Sequence, residues 1–300
     1  MAAYLAFRFF KTIFHVMPFW LLYGISNFFS WLIYKVIRYR RRDVLSNLQR
    51  CFPEKNAAEI EIYARDFYLN FTDVFFETLK GLSLSREELL KRYAFEWCDF
   101  PQQKEQQPKQ FVASTGHFAN WEWGVLTLSI YLNNHINLGI YKELSNKRMD
   151  EYLRKLRGKN NMVLVPTYLT KKVIPRYADK NFVLILVGDQ NPSNPKKSYW
   201  VDFFGQKVSA LIGIEMYARQ FNVPVYYLKI DRVKRGHYKV RAELLLENPA
   251  AFAEGEITAI YMKRVEAHIR ENPGQWLWSH RRFKHKPPQE MLQQPMASQP

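Results

Sequence analysis

The 300-residue sequence predicts an α/β fold: a mostly parallel sheet layered with helices, preceded by an N-terminal membrane helix. Three observations carry that expectation. Short, nearly all-apolar runs such as "QFVAST" (110–115) and "FVLILVG" (182–188) alternate with longer helical stretches, which marks a sheet buried on both faces. Two β-rich runs, "PVYYLKIDRV" (224–233) and "YKVRAELLL" (238–246), follow one another with no helix between them, so an antiparallel pair is expected late in the sheet. Finally, no residue from Thr12 to Tyr34 carries a fixed charge.

That uncharged stretch contains enough helix, at about 1.5 Å per residue, to cross a hydrocarbon core of about 30 Å. It runs into "KVIRYRRR", whose Lys35, Arg38, Arg40, Arg41 and Arg42 place the flank, and the chain after it, on the cytoplasmic side. Trp20, Tyr23, Trp31 and Tyr34 suit the membrane interface, and no small-residue cleavage site follows, which argues against a removable signal. Residues 1–42 are therefore expected to form a membrane anchor with a basic flank. Arg8, Lys11 and Pro18 leave open a helix lying in the interface instead.

Residues 43–285 are expected to form the catalytic body and 286–300, rich in Pro, Gln and Ser, a disordered tail. The body opens with helical sequence broken by Pro53, restarted by an Asn56 cap and ended at Gly81; a short helix capped by Ser85 follows, with Glu87 and Glu88 in its first turn. After the strand 110–115 the pattern predicts a helix over 120–133, a strand over 136–142, a helix over 146–160 and a strand over 162–167. A short helix over 170–180, the strand 182–188, a helix over 208–222, the two late strands and a helix over 256–272 complete the series.

In such sheets reactive groups lie beyond the carboxyl ends of the strands. His117 falls just past the first of these strands and Asp189, in "GDQNP", just past 182–188, so the two loops are expected to open onto one crevice. Five residues separate His117 from Glu122. On one helix they would not meet, but with His117 in a loop and the helix starting near Asn120, Glu122 can fold back on the imidazole, fix its tautomer and stabilise its protonated form. No serine or cysteine stands in a nucleophile elbow, so the pair suits direct transfer, with the base activating a hydroxyl or amine of the substrate. A hydrolase with water as acceptor fits the same pair. No phosphate loop, dinucleotide fingerprint or metal triad appears, and Cys51 and Cys98 form neither a disulfide framework nor a zinc pair; no cofactor or metal is expected.

Lys plus Arg at 44 against Asp plus Glu at 28 gives a net charge of +16, which calls for an anionic partner. The basic residues cluster beside the membrane segment and near the C-terminal end rather than along a recognition helix, so a membrane is favoured and no nucleic acid is expected.

Taken together, "RRDVLSNLQRCFPE", "STGHFANWEWG", "GDQNP", "VDFFGQKVSALIGIEMYARQFNVPVYYLKI" and "NPGQWLWSHRRFK" resemble, in order and spacing from about Tyr4 to Lys284, the bacterial lipid A late acyltransferases, the lauroyl/myristoyl transferases. The resemblance implies a layered αβα fold like that of glycerolipid acyltransferases and an enzyme at the cytoplasmic face of the bacterial inner membrane. It implies secondary acylation of a lipid A precursor, an anionic glycolipid, with acyl-acyl carrier protein or acyl-CoA as donor. His117 and Glu122 match its His-x4-Asp/Glu motif as the catalytic pair. Lys142, Asn146, Arg154 and Arg157 match its acceptor-binding region together with Tyr141 and Asp150, and Asp189 and Gln190 its middle acidic motif. Lys142 stands where the family more often has Arg, and Glu143 and Lys147 where it has Pro, so the acceptor contacts are expected to differ. Arg281 and Arg282 read either as part of this pattern or as a solvated basic face, and Trp276 and Trp278 as packing.

Overall fold

A computed structural model describes residues 13–158 and 162–288. At its centre lies a seven-stranded sheet in the order β1-β9-β8-β2-β5-β3-β4. The strands are β1 (Tyr93–Glu96), β2 (Gln110–Thr115), β3 (Ile136–Tyr141), β4 (Met162–Pro166), β5 (Phe182–Val187), β8 (Val225–Lys234) and β9 (His237–Leu246). All neighbours are parallel except β8 and β9, the antiparallel pair the sequence announces.

The longer helices are α1 (Phe19–Trp31), α2 (Arg41–Cys51), α3 (Ala57–Gly81), α4 (Arg86–Arg92), α5 (Trp121–Tyr131), α6 (Lys147–Arg157), α7 (Gly213–Phe221) and α8 (Glu256–Glu271); the short helix expected over 170–180 is a single turn, Thr170–Val173, that tightens into a 3-10 turn over Ile174–Tyr177. Their ends follow local chemistry. The Asn56 side chain accepts from the N–H groups of Ala58 and Glu59 while Glu59 reaches back to the Asn56 N–H, a full capping box. Ser85 accepts from the Glu88 N–H. Side chains alternate across the sheet: on β8, Tyr227 meets Tyr261 and His268 of α8, whereas Leu228 and Ile230 share a cavity with Gly124, Val125 and Leu128 of α5. Helices thus cover both faces.

The sequence pattern predicts neither β1 at the sheet edge nor the two strands of a hairpin after β5. Residues 208–210, expected to begin a helix, instead form β7 (Gln206–Ala210), paired with β6 (Tyr199–Phe203) in a separate hairpin. Phe204 and Gly205 both take positive φ at its two-residue turn, the geometry such tight hairpins need. The helix starts only at Gly213.

The expected membrane-spanning N-terminal helix finds no support among the described residues: none of their helices is long and apolar enough to cross a membrane. Pro18, with extended backbone, stands before the first turn of α1, which spans 13 residues and continues as a π-helical stretch over Leu32–Val36. Together the two stretches, Phe19–Val36, rise at most about 27 Å. One face of α1 is also committed to protein: Leu22, Ser26 and Ser30 are buried, and Ser26 donates to Asp73 of α3. Its other face exposes Trp20 (74%), Phe28 and Trp31 (55%). The part of the expected span through Thr12, and residues 289–300 of the expected tail, lie outside the described residues.

The topology places the site. The chain leaves β2 through α5 toward β3, and leaves β5 through the hairpin and α7 toward β8, so the connections from these adjacent parallel strands run in opposite directions across the sheet. Crevices open at such switch points. Thr115 and Val187 are paired at the ends of β2 and β5, and His117 and Asp189 each lie two residues further on.

Candidate active site

The two loops do share one crevice. His117 Nδ1 lies 2.6 Å from Asp189 Oδ1, and the His117 backbone N–H donates to Asp189 Oδ2 at 2.8 Å. A third group converges on the carboxylate: the indole N–H of Trp276 donates to Oδ2 at 2.7 Å. Asp189 is buried, whereas the His117 side chain remains 20% exposed at the crevice. Gly116 permits this approach, since a Cβ there would stand 2.7 Å from the Phe118 ring and 3.2 Å from Asp189 Oδ2.

The electrostatics follow from the geometry. Burial alone would push the Asp189 carboxyl up, yet the imidazole and the converging N–H donors outweigh it and hold the group at about 2, against an ordinary 3.8. Burial disfavours the charged form of His117, but the Asp189 carboxylate, its hydrogen bond and the more distant Glu122 charge overcome this and raise the imidazole above its usual 6.5. Asp189 fixes Nδ1 as the protonated nitrogen and leaves Nε2 as the acceptor on the crevice side. The Gln190 amide nitrogen lies 3.4 Å from both ring nitrogens, and the Trp121 ring meets the imidazole edge-on at 5.2 Å.

A clamp from the end of the chain holds the turn that carries His117. The Leu277 N–H donates to the His117 carbonyl at 3.1 Å and the Ala119 N–H to the Gln275 carbonyl at 2.9 Å. Between them Phe118 and Trp276 form an isolated antiparallel bridge. Ala119 has φ +45°, a left-handed conformation that costs an alanine roughly 1–2 kcal/mol. The Asn120 side chain then caps α5 by accepting from the Trp123 N–H.

The expectation that Glu122 folds back on the imidazole is corrected. Glu122 stands in the first turn of α5, as read, but its Oε2 lies 2.5 Å from Arg157 Nη2 across the crevice, with both side chains about a quarter exposed. The physical reason is that the buried Asp189 already occupies Nδ1, so Glu122 is left to the guanidinium delivered by α6. Glu122 reaches the imidazole through its charge rather than through a bond.

His117, Glu122, Lys142, Arg154, Arg157 and Gln190 line a cleft of about 710 Å³. Its apolar wall includes Ile140, Leu164, Ile185, Leu211 and Met216. Asp189 sits behind His117 rather than on the wall, and Asn146 lies exposed ahead of α6, outside the lining. Asp150 braces the loop before α6, accepting from the Leu144 N–H at 2.8 Å and the Tyr141 hydroxyl at 3.2 Å. A narrow second cavity, about 40 Å³ and almost wholly apolar, lies between α5 and the sheet and shares Trp121, Val125, Ile185 and Val187 with the cleft.

Sequence reasoning missed three supports. Trp276, read as packing, is a donor to Asp189. Arg282 is buried, over the Phe203 ring and donating to the Ser209 carbonyl at 2.8 Å, while Arg281 stays exposed and pairs with Asp43. Glu77 on α3 receives the Asn120 amide. Each is a contact across more than 40 residues, which no local pattern signals. Among the described residues no group of three His, Cys, Asp or Glu side chains is placed to hold a metal ion.

No curated protein matches the chain. Residues 2–285, nearly its whole length, match the family described as bacterial lipid A biosynthesis acyltransferase. With a histidine–carboxylate pair at the switch point of its sheet, this chain belongs to the bacterial lipid A biosynthesis acyltransferases.

Proposed function

We propose that this protein transfers a fatty acyl chain from a carrier thioester, acyl-acyl carrier protein or acyl-CoA, to a hydroxyl of a lipid A precursor, as a secondary acylation. The observation that carries the reading is the imidazole with Nδ1 bound to a buried carboxylate and Nε2 turned to a cleft that is basic on one side and apolar on the other. Nε2 takes the proton of the acceptor hydroxyl as its oxygen attacks the thioester carbonyl; the C–S bond then breaks and the thiolate leaves with that proton. The products are an ester and a free thiol. No serine or cysteine among the described residues is hydrogen-bonded to His117, which favours direct transfer over an acyl-enzyme.

Arg154, Arg157 and Lys142 offer cations to the phosphates of the acceptor, Arg157 being aimed by Glu122. Acyl chain lies along Trp121 and Val125 toward the apolar cavity under α5, which widens to admit it. The exposed face of α1, with Trp20, Phe28 and Trp31 beside Lys35, Arg38 and Arg42, seats the enzyme in the headgroup region of an anionic leaflet, at the cytoplasmic face of the inner membrane. The test is mass spectrometry of product formed from acyl carrier thioester and a lipid A precursor. His117→Ala is expected to lower the rate by roughly 10²–10⁴-fold. A near-normal rate in that variant, or free fatty acid as the main product of the unaltered protein, would overturn the reading.

A further inference from the structure

Glu77 lies on α3, well away from the cleft wall, and is fully buried at 0% exposure. A buried carboxylate persists only where donors surround it, and here they arrive from three parts of the chain. Asn120 Nδ2 donates to Oε2 at 2.7 Å, the Tyr238 hydroxyl from β9 donates to the same oxygen at 2.5 Å, and the Tyr23 hydroxyl from α1 donates to Oε1 at 2.9 Å. The Glu77 backbone carbonyl also accepts from the Trp123 indole at 2.8 Å. α3 and α5 approach so closely here that a Cβ on Gly81 would stand 2.2 Å from that indole nitrogen.

The Asn120 amide has two ends with separate tasks. Its oxygen caps α5; its nitrogen is held by Glu77. Asn120 directly follows Ala119, whose left-handed backbone must be held in place by neighbours, and stands three residues from His117. The amide cannot turn over without placing its NH₂ against the Trp123 N–H and its oxygen against the carboxylate.

We propose that Glu77 is a positioning residue: it locks the Asn120 amide in one orientation and thereby fixes the turn that aligns His117 with Asp189, while Tyr23 ties the same carboxylate to α1. This rests on the proposed role of His117 as base. Glu77 touches neither the acceptor nor the thioester, so its effect passes through Asn120.

The experiment measures steady-state acyl transfer and its pH profile for the full chain carrying Glu77→Gln, Asn120→Ala, both together, and His117→Ala. Glu77→Gln is expected to lower kcat at least tenfold, with KM changed by less than about threefold. It should also move the acid limb of the kcat profile to lower pH as the His117–Asp189 bond loosens. The double variant is expected to be no slower than the worse single variant, because both act on one contact. A gentler variant, Tyr238→Phe, removes one donor but leaves the Asn120–Glu77 bond, and should lower kcat less than Glu77→Gln does. Multiplicative losses in the double variant, or a kcat loss in Glu77→Gln with an unmoved pH profile, would reduce Glu77 to a structural role and overturn the inference. Should Glu77→Gln fail to fold, Asn120→Ala decides: normal kcat and pH profile there overturn it too. His117→Ala at full activity would sink the parent reading, an outcome distinct from either of these.

Discussion

The two sides of the cleft are built on opposite principles. Behind His117, Asp189 is buried and met by the His117 N–H, the imidazole and the Trp276 indole, with a backbone clamp from Gln275 to Leu277 around them. Farther along the cleft, Glu122 and Arg157 form one ion pair about a quarter exposed, and Arg154 and Lys142 stand out toward solvent. The first side is preorganised: its dipoles are fixed before substrate arrives and need no rearrangement during reaction. The second is a set of solvated charges, each contributing little while water screens it. The sheet explains the difference. Asp189 hangs from the end of a central strand, whereas Arg154 and Arg157 ride on a helix next to the edge strand β4.

This contrast is broken or sharpened by a ranked series of variants. The largest effect is expected at Asp189. Asp189→Asn should cost about 10³-fold in kcat, since it removes the charge that fixes the tautomer and stabilises the imidazolium. It also removes the main influences that raise the His117 imidazole, leaving burial opposed only by the more distant Glu122 charge, so the acid limb of the pH–rate profile should move below its wild-type position. Glu122→Gln, measured alongside, should cost less; if it costs more, the contrast is reversed and Glu122 is the carboxylate that serves the base.

Next, Trp276→Phe keeps an aromatic side chain, though a smaller one, and removes the N–H donated to Asp189; it is expected to lower kcat about tenfold with little change in KM. Stability should respond in the same place. The Asp189 carboxyl is held below its unfolded value, so its contribution is present above about pH 4 and is lost as pH falls toward 2. Acid unfolding of wild type against Asp189→Asn, followed by circular dichroism, should show that pH-dependent difference.

Arg154→Ala and Lys142→Ala are expected to raise KM for the acceptor several-fold while sparing kcat, with the penalty shrinking at high salt because exposed charges are screened. The smallest catalytic effect should come from Trp20→Ser with Trp31→Ser. In a soluble assay the pair leaves kcat near normal, while flotation with vesicles of anionic lipid should show weaker binding. Equal binding by both proteins would remove α1 as the seat.

How much of this was readable beforehand depends on distance along the chain. Strands 110–115 and 182–188 and their polar loops were legible because a buried parallel strand must be apolar throughout and its function must lie past its end. The caps at Asn56 and Ser85 were legible for the same local reason. The β6–β7 hairpin was hidden because "VSALIGIEM" satisfies helical and strand periodicity alike, and the turn at Phe204–Gly205 chose between them. In the N-terminal segment apolar length alone did not reveal the contact with α3, where Ser26 meets Thr72 and Asp73.

By itself, then, the sequence determined the layered architecture and the two polar loops that follow the ends of strands 110–115 and 182–188, since these rest on periodicity and residue type within a few positions. Only the tertiary structure decided which carboxylate the imidazole would use. Glu122 is five residues from His117 and Asp189 is 72, but parallel pairing of β2 with β5 brings their ends level and makes the distant residue the near one. Proximity in a sheet is set by strand order, and strand order is settled by the packing of the whole core.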